Sequence, residues 1–249
     1  MVARKAIIRS AFDLSGQRIL ITGAAGGIGE TTARVCASLG AALLLVDQRP
    51  TERLVQQLRE AGSEAQAFSC DVASRIEVEA LAASSGPVDA LVMAAGICPW
   101  DDWQEPGWDK VFEQVMAVNL HGPIHLARAW LPRMIERKGG RMVLIGSVAG
   151  RIGGLVASAH YVAAKAGLHA LVKWLAKRGA PDGVLVNGIA PGPIDTEMTR
   201  GQPFDLSLIP LGRMGVADEI AWPIAFLCSP AATYVTGTVL DVNGGLYMN

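Results

Sequence analysis

Short apolar runs alternate with helix-length amphipathic stretches along most of this chain, and few folds accept that pattern. The runs fall at 18–22, 41–46, 64–70, 88–93, 141–146, 183–189 and 239–242. The run Ala41-Ala42-Leu43-Leu44-Leu45-Val46 is apolar at every position, so it suits a strand covered on both faces. Helical stretches fill the gaps at 27–38, 54–60, 76–83, 108–137 and 157–177, and Pro123 and Pro132 in the fourth mark expected bends or ends. The alternation predicts an α/β protein with about seven parallel strands in one sheet and helices on both faces. No Ser/Gly-rich linker or internal repeat interrupts it. A single domain over 13–249 is therefore expected, preceded by a short extension at 1–12.

Composition closes several other routes. Hydrophobic residues make up 51% and charged residues 18%, which excludes disorder. Net charge is −1 with no basic block, so no nucleic-acid partner is expected. No apolar run of 18 residues occurs, so no membrane partner is expected either. Cys36, Cys70, Cys98 and Cys228 are scattered with no Cys-x-x-Cys pair, which points to a reduced, cytoplasmic setting. His121 and His125 lie one helical turn apart, but no further ligand stands in register, so no metal is expected. Cys98 has no histidine in supporting sequence context and reads as a pocket-lining residue rather than a nucleophile.

The first run ends in Thr22-Gly23-Ala24-Ala25-Gly26-Gly27-Ile28-Gly29. Glycines there let the backbone turn tightly and approach a pyrophosphate, whose charge the following helix N-terminus favours. The position between first strand and first helix makes Gly23, Gly27, Ile28 and Gly29 candidate dinucleotide-binding residues in a Rossmann-like, doubly wound sheet. Asp47 ends the second strand, where a carboxylate holds the adenosine ribose hydroxyls, with Gln48 beside it. That carboxylate opposes a 2′-phosphate, so NAD(H) is the expected cofactor; the nearby Arg49 keeps NADP(H) open.

Tyr161 and Lys165 stand four positions apart, so on a helix they share a face one turn apart. A phenol with an ordinary pKa of about 10 is a poor base at neutral pH, and a neighbouring ammonium favours its ionised form. Such a pair suits proton transfer at an alcohol oxygen.

These residues together resemble the short-chain dehydrogenase/reductase family, from Leu14-Ser15-Gly16 to Val242-Asn243-Gly244-Gly245. The resemblance implies a catalytic set of Asn119, Ser147, Tyr161 and Lys165. Tyr161 would be the general acid/base, Ser147 would orient the reacting oxygen, Lys165 would tune Tyr161 and hold the nicotinamide ribose, and Asn119 would hold a proton-relay water. A plainer reading of Asn119, interruption of its helix, stays open. Asp71-Val72 matches the adenine-contacting pair, and Pro191-Gly192-Pro193-Ile194-Asp195-Thr196 matches the segment that grips the nicotinamide carboxamide. Met93-Ala94-Ala95-Gly96 departs from the family's Asn-Asn-Ala-Gly, although Ala94, Ala95 and Gly96 still permit close cofactor approach. Leu185 and Asn243 also depart from the usual residues. The family commonly forms tetramers, so a homotetramer or homodimer is implied.

The implied reaction interconverts a secondary alcohol and a ketone with NAD(H). Cys98, Trp100, Trp103 and Leu155 are candidate substrate contacts, and a lid is expected at about 196–212. Their character favours an apolar or ring-containing small molecule. Two alternatives remain: an NADPH-dependent 3-ketoacyl-carrier reductase, and a catalytically idle dinucleotide-binding regulator.

Overall fold

The computed structural model of the chain describes residues 11–249, so the extension expected at 1–12 lies outside the described residues except for its last two. Seven parallel strands form one sheet: β1 (Arg18–Thr22), β2 (Ala42–Asp47), β3 (Ala65–Ser69), β4 (Ala90–Met93), β5 (Gly140–Ile145), β6 (Val184–Pro191) and β9 (Val239–Val242). Their spatial order is β3-β2-β1-β4-β5-β6-β9. The chain therefore winds outward from β1 in one direction and from β4 in the other. A crevice at the carboxyl ends of the strands follows at that switch point.

The central strands β1, β2, β4 and β5 are apolar over most of their length because both faces are buried. Ile19 and Ile21 face one apolar cluster, and Leu20 between them faces the other. The first cluster takes in α1 (Gly27–Ser38), α2 (Glu52–Glu60) and α8 (Ala217–Cys228). The second takes in α3 (Arg75–Ser84), α5 (Gly122–Glu136) and α7 (Ala159–Gly179). Sequence reasoning missed α8, which is apolar almost all round over Ile220–Cys228 and carries Pro223, so its helical period is hidden.

The helix expected over 108–137 is three pieces. An α-helix, α4 (Trp108–Met116), leads into a π-turn over Ala117–His121, and α5 continues from Gly122. Pro123 sits in the first turn of α5, where a missing N–H is harmless, and Pro132 lies inside α5 without ending it. The π-turn adds a residue to the helical repeat at Asn119, which is buried. A four-residue helix, α6 (Ala149–Ile152), follows β5. Two short parallel strands, β7 (Ile194–Asp195) and β8 (Gly215–Val216), pair with each other and bracket the expected lid. Among the described residues no helix is long and apolar enough to cross a membrane.

Candidate active site

A cleft of about 790 Å³ lies over the switch point. Its floor is the glycine turn after β1, and its walls come from the ends of β2, β3 and β4. Of the residues singled out from sequence for cofactor binding, Gly23, Gly27, Ile28, Gly29, Asp47, Gln48, Asp71, Val72, Ala94, Ala95, Gly96 and Thr196 line it. Gly23 has φ +71°, and a Cβ there would stand 2.7 Å from the Ala94 carbonyl carbon. A Cβ on Gly29 would stand 2.1 Å from the Gly23 carbonyl oxygen. The helix thus starts directly against the turn, and Gly27, Ile28 and Gly29 of its first turn line the cleft, where a helix N-terminus favours diphosphate charge. Only bare backbone fits there, and a dinucleotide suits the cradle.

Asp47 is half-buried. Its Oδ2 accepts from the Ala25 N–H at 3.0 Å, and its Oδ1 accepts from the Arg49 N–H at 2.9 Å. The Arg49 guanidinium reaches Asp47 at 3.6 Å and Glu197 at 3.4 Å. Its Nη2 also lies 3.4 Å from where a Gly26 Cβ would be, so the cation covers the turn.

A smaller cavity of about 70 Å³ adjoins this cleft, and Cys98 and Met198 line both. Ser147, Tyr161, Trp100 and Leu155 face the smaller cavity, with Gly192, Thr199 and Phe204. Met198 and Thr199 come from the lid base and were not singled out from sequence. Trp103 is not brought to either cavity: it is 66% exposed, in an irregular stretch where spacing sets no side-chain direction. Ile194 and Pro191 also stay off the cleft; Ile194 is buried under the first apolar cluster, and Pro191 ends β6. Trp100 Nε1 donates to the Met198 carbonyl at 3.0 Å, and its ring meets Phe204 edge-on at 5.9 Å. These contacts tie Met198 and Phe204, in the segment expected to be a lid, to the pocket wall.

Tyr161 and Lys165 lie on the first turns of α7, facing the end of β5. Lys165 is buried and its Nζ donates to the Ile145 carbonyl at 2.8 Å. Burial lowers its pKa from 10.5 to about 8, and Cys98 pushes the other way. Burial also raises the Tyr161 phenol well above 10, Cys98 raises it further, and a hydrogen bond with Ser147 opposes both. The protonated phenol is therefore the resting form, ready to donate a proton. Cys98 itself is pushed up to about 12 by burial, so its thiol is inert as a nucleophile.

Asn119 clamps the loop after β4. Its Nδ2 donates to the Ile97 carbonyl at 2.8 Å, and its Oδ1 accepts from the Ile97 N–H at 2.9 Å. The point where a Gly96 Cβ would lie is 3.2 Å from Asn119 Oδ1 and 3.5 Å from Lys165 Nζ. Asn119 thus both interrupts its helix and sits beside Lys165. Ser147 Oγ accepts from the Ala149 N–H at 3.1 Å, which fixes the hydroxyl at the mouth of α6.

Behind Ser147 stands a residue the sequence did not mark for the site. His169 is buried on α7, one turn beyond Lys165, and accepts from the Ser147 N–H at 3.5 Å. Burial, then the charges of Arg151, Lys165 and Lys173, lower its pKa from 6.5 to about 4. The unfolded chain takes up this proton near 6.5 and the folded chain only near 4. Stability from this group is therefore full above about pH 6.5 and lost as pH falls toward about 4. Thermal unfolding of the wild type is expected at lower temperature at about pH 5 than at about pH 7, and His169→Gln should flatten that slope. An unchanged slope in the variant contradicts this assignment.

Among the described residues, no group of three His, Cys, Asp or Glu side chains could hold a metal ion. His125 Nδ1 instead meets the Val72 carbonyl at 3.2 Å.

Comparison with known proteins agrees with this geometry. Residues 23–247 match the family described as Enoyl-(Acyl carrier protein) reductase. The chain is 39% identical to galactitol 2-dehydrogenase (L-tagatose-forming) of Cereibacter sphaeroides, over 95% of this chain and 97% of that one. It superposes on the gluconate 5-dehydrogenase of Burkholderia cenocepacia, in complex with NADP and tartrate, with a TM-score of 0.89 and 34% identity, covering 96% and 98% of the two chains. A 3-oxoacyl-acyl-carrier-protein reductase of Brucella melitensis with bound NAD superposes equally well, with a TM-score of 0.89 and 31% identity, covering 98% and 95%.

Proposed function

The chain belongs to the short-chain dehydrogenase/reductase family, and we propose that it is an NAD(H)-dependent enzyme interconverting an apolar or ring-containing secondary alcohol and its ketone. The observation that carries this reading is the shared wall of the two cavities. Ser147 and Tyr161 line the small cavity, and Cys98 and Met198 line both that cavity and the cleft, so a substrate oxygen between Ser147 and Tyr161 has the cleft as its neighbour.

When bound, the nicotinamide supplies or accepts the hydride. Ser147 Oγ orients the substrate oxygen. Tyr161 gives that oxygen a proton during reduction and takes one during oxidation. Oxidation needs the phenolate, so the raised phenol pKa must come down, and positive charge nearby brings it down. Lys165 supplies one such charge, with two ammonium hydrogens left beyond its bond to Ile145. Asn119 keeps Ile97 in place, and its position near Lys165 suits it to hold a relay water there.

The pocket favours an uncharged substrate. Trp100, Leu155, Met198 and Phe204 line it, and among the described residues no cation does. Arg151 is engaged with Asp241 at 3.2 Å and faces away. A 3-ketoacyl group on a carrier is the second reading, supported by the likeness to the Brucella melitensis enzyme.

Asp47 supports NAD(H) over NADP(H). A 2′-phosphate beside it is opposed by about 1 kcal/mol in water and by several in a drier site. Arg49 is already shared between Asp47 and Glu197, which weakens its pull on that phosphate. Assembly as a homotetramer or homodimer in the cytoplasm completes the reading; Trp174 on α7, 53% exposed under Arg178, supports a partner there.

Fluorescence titration should give NADH a dissociation constant about tenfold below that of NADPH, and Asp47→Asn should close the gap. Tighter binding of NADPH overturns the cofactor assignment. A panel of cyclic and aromatic secondary alcohols and ketones, run with both cofactors, tests the reaction. Turnover of carrier-bound 3-ketoacyl groups alone favours the second reading.

A further inference from the structure

Between β4 and α4 the chain has no regular structure from 94 to 107, yet this loop carries Cys98 and Trp100 into the substrate pocket. With no ladder of backbone hydrogen bonds, its shape depends on side-chain anchors. Asn119 anchors Ile97, and the Met198 carbonyl anchors Trp100. The third anchor has no role so far. His160 is fully buried in the first turn of α7, next to Tyr161, and its Nε2 faces both oxygens of Asp101 at 2.9 and 3.2 Å.

We propose that Asp101 and His160 are positioning residues, which lock the pocket-lining loop to the helix that carries Tyr161 and so set how tightly substrate is held. The proposal rests on the reading of this pocket as the substrate site. Three features support it. His160 Nδ1 is buried without a partner, so the ring hydrogen belongs on Nε2, where it donates to Asp101. Trp108 lies flat on the imidazole, with ring centroids 5.5 Å apart and planes at 16°, and its indole N–H donates to Ser158 Oγ at 3.3 Å. The imidazole therefore has one orientation, aimed at the loop. The Asp101 carboxylate also lies close enough to raise the Cys98 thiol pKa, which places it within electrostatic reach of the site.

Alkylation of Cys98 by iodoacetamide, read by mass spectrometry, follows loop opening without requiring turnover, because Cys36, Cys70 and Cys228 are buried. Asp101→Ala and His160→Phe should raise its rate by about tenfold or more, while Asp101→Asn, which still accepts from Nε2, stays within about threefold of the wild type. Asp101→Asn removes the charge but not the hydrogen bond, and His160→Phe removes the bond but not the charge. Equal acceleration in Asp101→Asn and Asp101→Ala, or none in His160→Phe, overturns the proposal. With cyclohexanol and NAD as probes, Asp101→Ala should raise KM by about tenfold and leave kcat within about threefold. A fall in kcat at constant KM also overturns it. Failure of the functional reading would leave the labelling result unchanged, so the two are told apart.

Discussion

Tyr161→Phe lowers kcat by about 10²–10⁴, the usual worth of a positioned general acid/base, and leaves cofactor affinity unchanged. The substitution keeps the ring and removes only the oxygen that faces the pocket with Ser147. The phenol is pushed up by burial, so it rests protonated. Lys165 is turned onto the Ile145 carbonyl. Steady-state kinetics in the reducing direction, with cofactor binding followed separately, checks this. Turnover within about threefold of the wild type removes Tyr161 from its role.

Gly29→Ala is expected to damage both fold and cofactor site. The new methyl would stand 2.1 Å from the Gly23 carbonyl oxygen and 2.7 Å from its carbon. Both are backbone atoms of the turn, and Gly23 is itself packed against the Ala94 backbone, so nothing yields cheaply. The first turn of α1 must lift away from β1. Overpacking of this kind costs about 1–3 kcal/mol or more, which lowers the unfolding midpoint by about 2–4 °C per kcal/mol in a chain of this size. On the proposed placement of the diphosphate at this helix start, the displacement should weaken NADH binding by about tenfold or more. Gly139→Ala is the control, because a Cβ there meets nothing within 4 Å. Calorimetry and fluorescence titration read both effects. Equal behaviour of the two variants would mean that the turn does not depend on a bare Gly29.

Much of this site is legible in the sequence, because its parts are backbone demands or paired chemistries. Gly23 and Gly29 are glycine for lack of room, and they fall where a strand must turn into a helix. Asp47 closes its strand as the ribose carboxylate should, and Tyr161 and Lys165 share a face because four residues make about one turn.

What stayed hidden depends on packing. The π-turn at Ala117–His121 has no residue code, yet it points Asn119 inward to clamp Ile97. Trp100 and Trp103 are alike in sequence, but one meets Phe204 and the other faces solvent, because irregular backbone has no period to set direction. His169 reads as an ordinary apolar-face histidine until α7 packs it behind Ser147. Helix α8 is apolar on nearly every side and so shows no amphipathic stripe.

Hydride transfer to the substrate carbon with Tyr161 as proton donor is the central claim, and isotope transfer tests it most directly. A ketone that the panel identifies is reduced with NADH carrying deuterium at both C4 positions, by wild-type protein and by Tyr161→Phe. The expected result is deuterium on the carbinol carbon of the product, formed about 10²–10⁴ times more slowly by the variant. Product without deuterium, or equal rates from the two proteins, would contradict it.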